Sequence, residues 1–104
     1  MLSHIGDHNF NAEVLNKKGV VVVDFYATWC APCKMLAPVL EELEGEISDA
    51  KIFKVDVDQN SEISNKYGIQ SIPTIMIFKD GVEVNKKVGF TPKDVLKEAI
   101  EEVL

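Results

Sequence analysis

Residues 20–34 read VVVVDFYATWCAPCK, an apolar run that leads directly into a pair of cysteines. The segment Val20–Tyr26 is β-branched and almost entirely apolar, which is typical of a strand buried on both faces of a sheet. Cys30 and Cys33 are the only two cysteines of the chain. Residues three apart on a helix share one face, so a small adjustment at the helix start would let the two sulfurs bond. The pair therefore indicates thiol–disulfide chemistry.

The position of each cysteine in the predicted helix separates their roles. Because Pro32 disfavours helical geometry in the residue before it, we expect the helix to begin near Cys30. Free amide groups and the helix dipole favour a thiolate there, and Lys34 adds a positive charge close by. Cys33 lies one turn further in. We therefore expect an exposed Cys30 to attack a substrate disulfide, and a less exposed Cys33 to resolve the mixed disulfide.

Zinc binding is the main alternative for this cysteine pair. A closed zinc site needs four ligands, and the two histidines of the chain, His4 and His8, lie near the N-terminus. One chain could reach four ligands only by folding that segment onto the pair. The short spacing and the intervening proline also disfavour a pair of inert core cysteines. We expect no bound metal.

The length, composition and net charge of the chain limit the classes of protein to which it can belong. The 104 residues, 46% hydrophobic and 27% charged, fit one globular domain that spans residues 1–104. The net charge of −6 argues against nucleic acid as a partner and gives no attraction to anionic membranes. The N-terminus lacks the pattern of a signal peptide, and no apolar run is long enough to cross a bilayer. We expect a cytosolic protein, a compartment in which a close cysteine pair is more often catalytic than structural.

Apolar periodicity predicts an α/β protein with a mixed sheet and helices on both faces. The predicted strands are Val20–Tyr26, Lys51–Val57, Thr74–Phe78 and Val82–Val88, the last two joined by a hairpin at Asp80-Gly81. The first predicted helix is Asn11–Asn16, with Asn9 or Asn11 as its cap. A long helix follows the cysteines, and Pro38 should kink it. The other two predicted helices are Ser61–Tyr67, capped by Asn60, and a last helix capped by Thr91 with Pro92 at its first position. The predicted buried positions of the two long helices are Met35, Leu36, Val39, Leu40, Leu43 and Ile47, and then Val95, Leu96, Ala99, Ile100 and Val103.

Taken together, these segments resemble the thioredoxin family over essentially the whole chain. The resemblance rests on residues 23–27, the Trp-Cys-Ala-Pro-Cys-Lys run at 29–34, Pro38, residues 54–58, the tract TyrGlyIleGlnSerIleProThr at 67–74, and Val88-Gly89. It implies a thioredoxin fold with a central mixed β-sheet of about five strands flanked by four helices. It also implies a general reductase of protein disulfides that carries no bound cofactor.

Asp24 is the most unusual residue of the first strand. An acid among valines is rare unless it is paired or functional, and burial raises the pKa of its carboxyl. The resemblance makes Asp24 the family's buried acid beneath the pair, where it would help to remove the proton of Cys33 through a water. It also places Lys54 near this acid, and a pair between them would limit the cost of burial. The alternative is an acid that faces a sheet edge or solvent.

The resemblance further implies a surface for substrates around Cys30. Pro73 matches the family's cis proline, so the Ile72-Pro73 tract should offer backbone hydrogen bonds to an extended substrate segment, in the manner of strand addition. The residues implied in contact with substrate are Trp29, Ala31, Pro32, Ile72, Gly89 and, in addition, Phe90. Plain core packing is the alternative for Trp29. Ala31, Tyr26 and Phe90 depart from the commonest family residues, which are glycine, tryptophan and a smaller residue.

The implied reaction needs a partner that restores the dithiol. The resemblance implies the flavoprotein thioredoxin reductase with NADPH, or a ferredoxin-linked or other reductase, with disulfide-containing proteins as substrates of a monomeric chain. A net oxidant or isomerase is disfavoured by the proline before Cys33. A binding subunit of a larger assembly, with the redox pair secondary, is the alternative of a different class.

Overall fold

The sheet has five strands in a mixed arrangement, and the computed structural model describes it for residues 2–104. The strands are β1 (Ser3–His4), β2 (Val20–Tyr26), β3 (Ala50–Asp56), β4 (Thr74–Lys79) and β5 (Val82–Val88), in the spatial order β1-β3-β2-β4-β5. β3 pairs in parallel with β1 and β2, whereas β4 pairs antiparallel with β2 and β5. A π-helix (Asn11–Leu15) and the helices α1 (Ala31–Glu46), α2 (Ser61–Lys66) and α3 (Lys93–Glu101) complete the fold. The expected sheet of about five strands flanked by four helices is confirmed.

The central strand β2 explains why its sequence is apolar at nearly every position. Val20 and Val22 pack on one face against leucines and isoleucines of α1 and α3. Val21, Val23 and Phe25 pack on the other face against side chains of the π-helix and α2. Alternate side chains of a strand point to opposite faces of the sheet. Because both faces are covered here, neither set of side chains faces water, and both sets are apolar at nearly every position. β2 is thereby fixed in the middle of the sheet, and its carboxyl end leads to the cysteines.

One strand was missed by the sequence pattern. β1 has only two residues, Ser3 and His4, and both side chains are exposed. They pair with Phe53 and Lys54 of β3. A two-residue segment without an apolar side chain shows no periodicity, so nothing in the local sequence indicates a strand there.

The hairpin between β4 and β5 is confirmed. Asp80 and Gly81 both have positive φ, 51° and 83°. This is the backbone of the turns that suit two-residue hairpins, and it explains the Asp-Gly pair. A Cβ at Gly81 would also collide with the carbonyl oxygen of Leu15. The Asp80 carboxylate accepts a hydrogen bond of 2.6 Å from the amide of Gly19, which ties the hairpin to the start of β2.

The helix caps differ from the predicted ones. Thr91 does not cap α3: its hydroxyl donates to the carbonyl of Gly89, and Pro92 is the N-cap rather than the first helical residue. The π-helix has Phe10 at its N-cap position, not Asn9 or Asn11. Asn60 occupies the N-cap position of α2 as predicted, but its side chain does not bond to the amides of that helix.

Asp7 caps α2 from a distant part of the chain. Its carboxylate accepts hydrogen bonds from the amides of Ile63 at 2.9 Å and Glu62 at 3.4 Å. Its own amide donates to the Asn60 side chain at 2.9 Å. The cap therefore comes from a residue more than fifty positions away, which a local capping pattern cannot reveal.

Two predicted core positions face solvent instead. Met35 of α1 and Val95 of α3 are 61% and 41% exposed, although the other long apolar side chains of both helices are buried or partly buried. Each lies at the margin of its helix's apolar stripe, beyond the area that the sheet covers. Helix α1 continues through Pro38 without interruption, and the kink predicted there stays a prediction.

We expect Asp7→Ala to lower the free energy of unfolding by about 1–2 kcal/mol, because two amides at the start of α2 lose their acceptor. Asp7→Asn keeps one acceptor oxygen and should cost less than half of that. Urea denaturation of the three proteins measures the difference. Equal stabilities for wild type and Asp7→Ala would remove Asp7 from the account of α2.

Candidate active site

The two cysteines lie at the start of α1, and three residues separate Cys30 from the end of β2. They are joined by a disulfide with a Cα–Cα distance of 5.2 Å. Cys30 is the N-cap of α1, and its Sγ accepts a hydrogen bond of 3.3 Å from the amide of Cys33. The amide of Lys34 donates to the carbonyl oxygen of Cys30. Pro32 lies in the first turn, where its missing amide hydrogen has no helical partner to lose. The predicted helix start at Cys30 is confirmed.

The exposed position predicted for Cys30 is wrong. The residue is 4% exposed and Cys33 is 1% exposed, so both are buried. Ala27 and the partly buried Ile72 pack against the pair. By contrast, Ala31 and Pro32 between the cysteines are exposed. The buried sulfur of Cys30 is thus followed in the chain by an exposed turn.

The Ile72-Pro73 tract lies beside Cys30, as the family resemblance implied. The peptide bond between these two residues is cis. The carbonyl oxygen of Ile72 is 3.8 Å from the Sγ of Cys30. Because this sulfur is bonded in the disulfide, it has no proton to donate, and the contact is not a hydrogen bond. Gly89, which has a φ of 89°, donates its amide to the Pro73 carbonyl at 2.7 Å. These contacts bring Ile72, Pro73 and Gly89 together at one side of the cysteine pair.

Trp29 projects from the surface next to the pair. Its side chain is 68% exposed, so the alternative of core packing is wrong. The indole Nε1 donates a hydrogen bond of 2.8 Å to the carboxylate of Asp58. The backbone amide of Asp58 in turn donates a hydrogen bond to the carboxylate of Asp56. This bond fixes the indole although most of it faces solvent. Asp58 was not singled out from the sequence, because only the folded loop after β3 brings it to Trp29.

Asp24 is completely buried in the strand that leads to the cysteines. Within residues 2–104, neither of its carboxylate oxygens has a hydrogen-bond partner. Burial raises the pKa of the carboxyl to about 7, and the positive charge of Lys54 acts in the opposite direction. The alternative of a solvated or edge-facing acid is wrong. An acid in this state changes its protonation near neutral pH.

Lys54 does not form the direct ion pair with Asp24 that was expected. The two residues are in register on the paired strands β2 and β3. The Lys54 ammonium nevertheless lies over the ring of Tyr26, 4.1 Å from its centroid. It therefore attracts the Asp24 carboxylate through space without a hydrogen bond, which lessens the cost of burial only in part.

A cavity of about 100 Å³ connects the inner cysteine with this lysine. Its lining residues are Tyr26, Ala27, Thr28, Cys33, Lys34, Ala37 and Lys54. Since one water takes up roughly 30 Å³ in the liquid, the cavity is large enough for water. A larger cleft of about 470 Å³ lies at the opposite end of β2 and β3, near Lys17 and Lys51, and contains none of the predicted site residues.

In the described part of the chain, no three histidine, cysteine, aspartate or glutamate side chains are grouped so as to hold a metal ion. No helix among residues 2–104 is both long and apolar enough to cross a membrane.

We expect Asp24→Asn to stabilise the protein at pH 8 and to leave its stability nearly unchanged at pH 4. The folded state keeps the Asp24 proton up to about pH 7, whereas the unfolded chain loses it near 3.8. Stability of the wild type therefore falls as pH rises between these values and is then constant, a loss of at most about 4 kcal/mol.

Urea denaturation of both proteins from pH 4 to 8 measures this difference, with the exposed Asp49→Asn as control. A constant difference in the free energy of unfolding over this range would contradict the raised pKa.

Comparison with known proteins gives one consistent result. The family model "Thioredoxin" matches residues 2–102. A thioredoxin of Bacillus subtilis (strain 168) is 52% identical over 99 residues, which cover 94% of this chain and 93% of that protein. A thioredoxin of Staphylococcus saprophyticus is also 52% identical, over 101 residues that cover 96% of this chain and 95% of that protein.

A solved structure supports the same assignment. A mutant thioredoxin from Halobacterium salinarum NRC-1 superimposes with a TM-score of 0.90 at 39% sequence identity, covering 97% of this chain and 88% of that chain. The similarity extends over nearly the full length and includes the cysteine pair at the start of α1. The chain therefore belongs to the thioredoxin family, whose members are thiol–disulfide oxidoreductases.

Proposed function

We propose that this protein-disulfide reductase divides its chemistry between Cys30 and Cys33. The Cys30 thiolate attacks one sulfur of a substrate disulfide, forms a mixed disulfide and releases the first substrate thiolate. The Cys33 thiolate then attacks the Cys30 sulfur, breaks the mixed disulfide and releases the second substrate thiol. Two electrons pass from the dithiol to the substrate, and the intramolecular disulfide remains.

The observation that carries this proposal is the hydrogen bond from the Cys33 amide to the Cys30 Sγ at the start of α1. The same donor stabilises negative charge on that sulfur when the disulfide is reduced, and the helix dipole adds to the effect. Within residues 2–104, no backbone amide donates a hydrogen bond to the Cys33 sulfur, and Cys33 is the more deeply buried of the two cysteines. The two thiols thus suit different steps, the first for attack on a substrate and the second for resolution.

Asp24 would accept the proton that Cys33 must lose. With a pKa of about 7, its carboxyl takes up and releases protons near neutral pH. The cavity beside Cys33 has room for a water that would take up the thiol proton, although Asp24 itself does not line this cavity. Lys54, at the wall of this cavity, would favour the charged form of the acid.

Substrates would bind as extended segments beside the disulfide. The Ile72 carbonyl beside Cys30 would supply a backbone partner, and a main-chain mode of binding accepts many sequences. The exposed side chains of Trp29, Ala31 and Pro32 lie next to Cys30. Phe90, 41% exposed, extends this apolar surface.

The family implies disulfide-containing substrates and a reductase that restores the dithiol. We infer that this partner is thioredoxin reductase with flavin and NADPH, or else a ferredoxin-linked or other reductase, and that the chain itself binds no cofactor. The net charge of −6 disfavours nucleic acid and anionic membranes as partners. We infer a cytosolic monomer whose residues 1–104 form one domain, of which Met1 lies outside the described residues.

We expect Cys33→Ser to accumulate mixed disulfides through Cys30, because the group that resolves them is missing. Cys30→Ser should abolish turnover without forming such adducts. Insulin reduction with a dithiol supplied, followed by mass spectrometry of the adducts, measures both outcomes.

Steady turnover by Cys33→Ser would contradict the assignment of roles. A binding subunit with a secondary redox pair would instead hold its partner equally well after both cysteines are changed to serine.

A further inference from the structure

Three charged or titratable side chains form a row across neighbouring strands. His4 of β1 is in register with Lys54 of β3, and Lys54 is in register with Asp24 of β2. Side chains that are in register on paired strands point to the same face of the sheet. The row therefore runs inward from the exposed His4 through the half-buried Lys54 to the buried Asp24.

Tyr26 contacts the two outer members of this row. It lies two residues after Asp24 and so points to the same face. Its hydroxyl is 3.1 Å from the Nδ1 of His4, and the two rings meet edge to face with centroids 5.7 Å apart. The Lys54 ammonium is 4.1 Å from the centroid of the tyrosine ring. One side chain thus bridges the histidine and the lysine.

This arrangement decides where the lysine charge lies. A lysine has a long and flexible side chain, and its ammonium extends into water unless something holds it. The Asp24 carboxylate accepts no hydrogen bond from Lys54. The contact with the aromatic ring is a cation–π interaction, which favours a lysine conformation with the ammonium over the ring rather than in solvent.

We propose that Tyr26 is a positioning residue, whose ring holds the Lys54 ammonium on the side of the sheet where Asp24 lies. The inference rests on the proposed role of Asp24 as proton acceptor. Without the ring, Lys54 moves toward solvent and Asp24 keeps its proton to higher pH. Less of the acid is then ionised at neutral pH to accept the proton of Cys33.

Other charges face the same region and stay constant in the test. Asp56 of β3 is in register with Tyr26, and Lys34 of α1 lines the cavity beside Cys33. Neither is altered in the variants, so their effect on Asp24 is common to all proteins compared.

The test is a double-mutant cycle on the pKa of Asp24, read from its carboxyl carbon by NMR in the oxidised protein, where no thiol titrates. The four proteins are the wild type, Tyr26→Leu, Lys54→Met and the double variant. Removal of the ring also admits water to Asp24, which by itself lowers the pKa, but this contribution is present with and without Lys54. The cycle therefore isolates the effect of the ring on the lysine.

Tyr26→Leu changes the pKa of Asp24 in two backgrounds, one with Lys54 and one with Lys54→Met. We expect this change to be more positive by at least about 0.5 pH units in the background that keeps Lys54. Tyr26→Phe is the matched control, since it keeps the ring and removes only the hydroxyl that contacts His4. It should retain most of the Lys54-dependent effect. An equal change in both backgrounds, or a phenylalanine variant that behaves like the leucine one, would overturn the proposal.

A second readout separates this inference from the proposed function. The pH at which resolution of the mixed disulfide is half-maximal should move with the pKa of Asp24 in each variant. If the pKa moves and the rate profile does not, the positioning by Tyr26 stands and the role of Asp24 as proton acceptor fails. If the pKa shows no coupling, the positioning fails whatever the rates are.

Discussion

The site depends on one hydrogen bond, from the amide of Cys33 to the sulfur of Cys30. The first turn of a helix has amides without helical partners, and here a sulfur takes the place of the usual capping oxygen. In the proposed mechanism this cap residue is the nucleophile, so the group that begins α1 would also be the group that reacts. The carbonyl of Ile72 lies 3.8 Å from this sulfur, and Gly89 donates its amide to the carbonyl of the next residue, Pro73.

The fold supplies the two conditions that this arrangement needs. β2 is buried on both faces, so its carboxyl end, and with it the start of α1, has a fixed position. The same burial removes water from Asp24 and raises the pKa of its carboxyl to about 7. The buried acid therefore lowers the stability of the folded protein at neutral pH. In return, its carboxyl has a pKa suited to exchanging a proton with a thiol.

Local patterns predicted the parts of the fold and site that are set by neighbours in the chain: β2, the helix start at Cys30, the Asp80-Gly81 hairpin and the burial of Asp24. They failed where distant segments meet. The cap from Asp7, the bond between Trp29 and Asp58, and the contact of Lys54 with Tyr26 all join residues that are far apart in sequence. The position of Ile72-Pro73 beside the pair came from family resemblance alone, since most X–Pro bonds are trans.

The start of α1 should make Cys30, although buried, the more reactive of the two thiols. The rates at which iodoacetamide alkylates each cysteine of the reduced protein at pH 7, with mass spectrometry to locate the label, measure this difference. Cys30 should react at least about tenfold faster than Cys33, and urea, which unfolds the helix, should make the two rates similar. Equal rates in the folded protein, or faster labelling of Cys33, would show that the helix start does not activate Cys30.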